Sequence, residues 1–316
     1  MMLQMGNKTI DKKRHYLPAG SIGYFSSEPN LRRLRDSRVH VLRKKADTPF
    51  ITTAANVGYG TAIYGYGKGE FFDHDSYFKG AERLVHGPVD SIRSTRGRWL
   101  QADDWSKLAW YITTLIARGP DAEKGLERLV EKGWKTDRIS MGYPLNAQRI
   151  SSAVVRARWE FVKSPWRDFV LDDRGITGLV WRPWHSHAYF IPLRKNFGVV
   201  VGQAPYKKQL KWFSDSWHIS IRTRLLLPNQ VDGTNAITWH AAREQIFGPN
   251  DRQLLKARSQ SQRVSSENQK ISQAYEAAQL MGLSASDRRK DEMLLLSILG
   301  GIKRPDDTDK EHYLTI

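Results

Sequence analysis

The chain has 316 residues, 40% of them hydrophobic, which is enough for one large domain or two ordinary ones and excludes a disordered chain. It contains no cysteine, which excludes disulfides, thiolate metal centres and a cysteine nucleophile, and fits a reducing, cytoplasmic setting. Lys and Arg number 50 against 33 Asp and Glu, a net charge of +17 that points to a polyanionic partner, meaning nucleic acid rather than a membrane.

Residues 1–14 read as a basic arm without the apolar run of a signal sequence, and no stretch has the length of a membrane span. Strands are expected at Val39–Leu42 and Phe50–Thr53, followed by a loop in which Gly and Tyr crowd together from Asn56 to Phe72. Helix is expected from about Ser76, with Leu84, Val85 and Val89 on one stripe. The clearest helix runs from Asp103 to Ala117, where Trp105, Leu108, Ala109, Ile112, Leu115 and Ile116 recur at helical spacing and Gly119-Pro120 ends the run. Further helices are expected over 122–132 and 146–161.

Past Pro165 the pattern turns to strands, at Phe169–Leu171, Gly178–Trp181, Ala188–Ile191, Gly198–Val201 and, by alternation, Trp217–Leu227. Helix returns over Thr234–Gly248. Residues 251–316 form a polar tail with two helical pieces, suited to a peripheral or oligomerisation arm. The expected fold is α+β: one domain over 15–250, with a central helical part, antiparallel strands from both halves, and a helical C-terminal tail.

The order of several short motifs resembles the bacterial family catalogued as domain of unknown function 4238, over about residues 14–250. Its opening His-Tyr-x-Pro signature is matched by Arg14-His15-Tyr16-Leu17-Pro18. Val39 to Lys45 (VHVLRKK), Asn56-Val57 to Tyr64, Glu82, and Ala117-Arg118-Gly119-Pro120 follow in the family's order. Phe169 to Arg174 stands where the family has a Ser-Asp-x-Pro turn, without the Ser and the Pro; Ile191-Pro192-Leu193 and Asn235 to Gly248 complete the set. The resemblance implies a single α+β unit and brings no established activity. The family's setting near mobile and defence genes implies an antiphage effector or toxin.

Standard nucleotide-binding and hydrolase motifs are absent from the sequence. His15 is the foremost catalytic candidate, because imidazole is the usual general base near neutral pH. Glu82, Arg118 and Asp173 join it through their places in the family pattern, and the four are expected to meet in one cleft as the acid–base cluster of a nuclease. Arg118 at the end of an apolar helix can instead cap that helix, and such a cluster can be purely structural.

Asp73 and Asp75, beside Glu70 and His74, can hold Mg²⁺ or Mn²⁺ through hard carboxylate oxygens, or can simply cap a helix. His185 and His187 share a strand face, a spacing that suits metal ligation or a plain hairpin turn. Nucleic acid is expected to meet Arg32, Arg33, Arg35, Arg43, Lys44 and Lys45, then Arg182 and Trp184, then Lys207, Lys208 and Lys211. Cations interleaved with aromatics suit single strands. The alternative is a non-catalytic nucleic-acid-binding subunit of a larger assembly, with a protein partner or a second copy held through the tail.

Overall fold

The computed structural model describes residues 14–15, 17–60, 80–94, 99–118, 150–151, 153–181, 183, 186–205, 208–213 and 215–264. The α+β expectation holds, and strands from both halves share sheets. In chain order the elements are β1 (Arg14–His15), α1 (Ala19–Gly23), β2 (Arg38–Arg43), β3 (Phe50–Thr53), β4 (Tyr59–Gly60), α2 (His86–Ser94), β5 (Trp99–Gln101) and α3 (Ala102–Arg118). There follow β6 (Ala157–Lys163), β7 (Leu171–Asp172), β8 (Thr177–Trp181), β9 (Ser186–Arg194), β10 (Phe197–Pro205), β11 (Leu210–Phe213), β12 (Ser216–Ser220), β13 (Thr223–Leu225), α4 (Pro228–Ala241), β14 (Gln245–Gly248) and α5 (Asp251–Ser261).

A five-stranded sheet, β13-β6-β10-β9-β8, forms the centre. It is antiparallel except for β13, which runs parallel to β6. Residues 159–162 of β6 are buried without alternation, so both sheet faces are covered. Trp159 and Phe161 point to one face, where Trp105 of α3 lies against Trp159 at 3.8 Å between ring centroids. The opposite face carries Glu160, Thr177, Leu179 and Trp181, and meets α4 through the Thr177–Thr238 hydroxyl pair at 3.2 Å.

α3 buries the expected stripe and more, because Ser106, Thr113 and Thr114 are buried too. Each of these hydroxyls donates to a carbonyl of its own helix, at 2.7–2.8 Å, which satisfies it without a tertiary partner.

Two smaller sheets join the halves of the chain. The four-stranded sheet β3-β2-β14-β7 sets early strands beside late ones, and β11-β12-β5 does the same. The turn after β7 needs Gly175, whose φ is +73° and where an added Cβ would stand 2.8 Å from Leu17 Cδ1.

Three expectations differ. The helix expected through Phe161 has become strand by Ala157, because Trp159 and Phe161 fill the sheet core. The single strand expected over Trp217–Leu227 divides into β12 and β13, which belong to different sheets. The helix expected over Thr234–Gly248 starts at Pro228 and stops at Ala241, and residues 245–248 are the fully buried strand β14.

Asp173 makes that last change. Its carboxylate accepts backbone N–H groups from Arg243 at 3.0 Å, Glu244 at 2.7 Å and Gln245 at 3.2 Å. The helix cannot continue where a buried carboxyl takes its donors. The packed body also continues past residue 250, since α5 buries Leu254 and Ala257 in a cluster with Leu42, Trp239 and Ile246. The helices expected over 122–132, 268–281 and 287–299, the basic arm before Arg14 and most of the Gly-Tyr loop lie outside the described residues.

Asp173→Ala is expected to cost about 1–3 kcal/mol, since it strands the buried N–H of Gln245 and frees two part-buried ones. Urea denaturation checks this; a loss under about 1 kcal/mol would mean another group holds the turn.

Candidate nucleic-acid interface

Arg32, Arg33 and Arg35 lie on an exposed loop that closes in the 3-10 turn Leu34–Asp36, and Arg38, Arg43 and Lys45 are exposed on and after β2. Among the described residues none of these six side chains forms an ion pair. Arg43 lies 5.1 Å over the Phe50 ring, which orients it without neutralising it.

Two of the expected phosphate contacts turn inward instead. Lys44 donates to the carbonyl of His240 at 3.2 Å and sits 4.7 Å over Trp239, and burial pulls its pKa down. Lys208 donates to the carbonyls of Val155 at 2.6 Å and Ala157 at 2.7 Å and lies 4.9 Å over Trp105; burial lowers its pKa to about 7. Their long stems bring these ammonium groups under neighbouring elements, which a list of charges along the chain does not reveal.

Lys211 is exposed, with its ammonium 5.0 Å over Trp99. The register pairs Lys211 with His218, and His218 with Gln101. Trp212 and Trp217 pair on the opposite face, edge to face at 5.4 Å. The two-residue period of a strand therefore separates the cation from the aromatics interleaved with it in sequence. Lys207, Arg182 and Trp184 lie outside the described residues; Trp181, nearby, spends its indole N–H on Glu160 at 2.7 Å and is buried.

The expected acid–base cluster fares unevenly. Leu17, Leu115 and Gly175 meet at the turn after β7, so the chain near His15, Arg118 and Asp173 does converge. His15 pairs with Tyr59 through β1 and β4, and Arg118 ends α3, but the side chains of both lie outside the described residues. Glu82 is half-buried in a helical turn over 80–84. Asp173 is 1% exposed and committed to the three backbone donors described above.

Its neighbour Asp172 is fully buried, with Arg174 Nε 3.5 Å away, and burial pushes its pKa up to about 7 against that pull. Asp73, Asp75, Glu70, His74 and His185 lie outside the described residues, as does the side chain of His187. Among the described residues no three metal-ligating side chains cluster.

A different polar cluster does form, and no motif marks it. His86 and Asp90 stand one turn apart on α2. Arg194, at the end of β9, donates to Asp90 Oδ1 at 3.2 Å and to the Leu193 carbonyl at 2.8 Å. Its guanidinium lies 3.4 Å from the centroid of the Tyr24 ring, and the Tyr24 and His86 rings are 5.2 Å apart. Burial first and Arg194 second hold the His86 pKa below its ordinary value, so the ring is neutral at pH 7. His86 Nδ1 is buried with no hydrogen-bond partner among the described residues, an arrangement that calls for a functional or solvent partner.

Cations lie along the same segments. Lys195 donates to the carbonyl of Ser27 at 2.8 Å, Lys163 to that of Arg93 at 2.9 Å, and Arg93 itself is exposed. The 3-10 turn that contains Arg35 and follows Arg33 packs on Gly23, next to Tyr24. No local sequence pattern marks the cluster because its members come from three distant segments.

Asp172 sets a pH dependence. A carboxyl whose folded pKa exceeds its unfolded one holds its proton more tightly in the native state. Its contribution to stability is therefore full below the unfolded value of 3.8 and lost as pH rises through about 7. Urea midpoints of the wild-type chain should fall across that window relative to those of Asp172→Asn; equal slopes would show that Asp172 titrates normally.

Among the described residues no helix is long and apolar enough to cross a membrane. No protein-family model, no curated protein and no solved structure matches the chain, so the resemblance to domain of unknown function 4238 stands on the quoted motifs alone.

Proposed function

We propose that this protein binds nucleic acid through phosphate contacts, with the exposed cations between residues 32 and 45 as its principal contact surface. The observation that carries this reading is the exposure of Arg32, Arg33, Arg35, Arg38, Arg43 and Lys45 without an ion pair among the described residues. Cations left unneutralised at a surface repel one another, and a polyanion that covers them releases its own counterions. Lys211 over Trp99 adds a cation on an aromatic face, an arrangement suited to single strands.

A second reading, cleavage of the bound strand, is favoured by the Tyr24–His86–Asp90–Arg194 cluster. A neutral imidazole can accept a proton from an attacking hydroxyl, and a guanidinium can stabilise the charge that develops on phosphate. Asp90 is 56% exposed, so the cluster reaches the surface.

Purified protein incubated with labelled single-stranded RNA, single-stranded DNA and duplex DNA tests both readings, with native and denaturing gels run in parallel. Retention that weakens steeply with salt is expected. Neutralising Arg32, Arg33 and Arg35 to Gln should lower the single-strand salt slope by about 2, from about 0.7 per phosphate contact. No retention at low salt would overturn the binding reading. Strand cleavage that disappears in His86→Ala while retention persists would support the second reading, and strands left intact by the wild-type protein would end it.

A further inference from the structure

A cavity of about 530 Å³ lies between the five-stranded sheet, α4 and the end of α5, on elements separate from the basic surface. Its apolar wall includes Leu179, Leu226 and Ile237, and its polar lining includes Asn229, Gln230 and Gln260. Arg224 and Arg263 also line it.

Arg224 is built into place. Glu160, whose side chain is 6% exposed, forms an ion pair with Arg224, Oε1 to Nε at 3.2 Å, and accepts the Trp181 indole N–H through Oε2 at 2.7 Å. The buried carboxylate thus fixes the stem of a guanidinium that is itself 44% exposed, leaving its two terminal nitrogens to donate as a fork. The charges nearby nearly cancel. Glu160 offsets Arg224, and Lys256 offsets Asp232 by a direct ion pair. Arg263 is left over, and the first turn of the 14-residue helix α4 opens on the cavity through Asn229 and Gln230, so the balance favours an anion.

Gln230 uses its amide oxygen on the Leu227 backbone N–H at 2.9 Å, which leaves its amide NH₂ as a donor. A preorganised guanidinium, amide groups and an apolar wall in a cavity of this size match a phosphomonoester attached to a flat polar ring. The geometry points to a binding site for a nucleoside monophosphate, with the phosphate on Arg224 and Arg263 and the base along the Leu226–Ile237 wall. This site goes beyond strand binding and does not depend on it.

Isothermal titration of the full chain with AMP, GMP, CMP, UMP, adenosine and inorganic phosphate tests it. Saturable binding of at least one monophosphate is expected, about tenfold or more tighter than adenosine or inorganic phosphate. Arg224→Met should weaken that binding about tenfold, because a bidentate charge-assisted contact is lost.

Gly233→Phe supplies a steric control. An added Cβ at Gly233 meets nothing within 4 Å, and the position lines the cavity, so the ring fills space and not protein. The variant should keep or raise its melting temperature, since glycine is a poor helix residue, and should lose the nucleotide. No saturable binding up to about 1 mM would overturn the proposal. Binding that survives Gly233→Phe, or inorganic phosphate that binds as tightly as any nucleotide, would overturn it as well. Strand retention is measured separately, so a nucleotide site can fail while strand binding stands, and the reverse.

Discussion

The carboxylate of Asp173, holding the backbone N–H groups of Arg243, Glu244 and Gln245, is the interaction on which the rest of the architecture depends. It ends α4 and sends the chain into β14. That strand then pairs with β2 on one side and β7 on the other, with Phe247 opposite Val41 and Ile246 opposite Asp172. The basic N-terminal strand is thereby fastened to the C-terminal half. Burial pushes the Asp173 pKa up while its backbone donors and Arg174 pull it back, which is how an acid can occupy so dry a place.

The same turn explains how charge is distributed. Asp172, Asp173 and Arg174 are all buried in succession, so two acids of this turn face inward. Lys44 follows them in, with its ammonium over Trp239. Arg43 and Lys45 on either side of it remain at the surface. A net charge of +17 thus resolves into cations that serve the fold, such as Lys44 and Lys208, and cations exposed to a partner, such as Arg32 and Arg35.

The polar features outside that turn have one trait in common. Arg194 is fixed by Tyr24 and Asp90, and Arg224 by Glu160, so each guanidinium is oriented by the fold before any ligand arrives. Preorganised donors bind anions without spending side-chain entropy at the moment of contact. The five-stranded sheet makes this possible: β9 ends on Arg194, and β6 carries Glu160 beneath the edge strand β13, where Arg224 sits.

Local pattern was enough for much of the fold. Phe50–Thr53 and the stripe from Trp105 to Leu115 could be read directly, because one residue's neighbours in sequence decide their period. Composition likewise determined the excess of positive charge and the absence of thiol chemistry, and the order of helical and strand patterns gave the α+β class. Tertiary structure alone decided that Ile246 and Phe247 form a strand, since the group that stops the helix is Asp173, some seventy residues away. It also decided which lysines are spent inside, and that Tyr24, His86 and Arg194 meet. Periodicity reports which way a side chain faces along its own element; partners from distant segments are chosen only when the chain closes on itself and buried polar groups must be satisfied together.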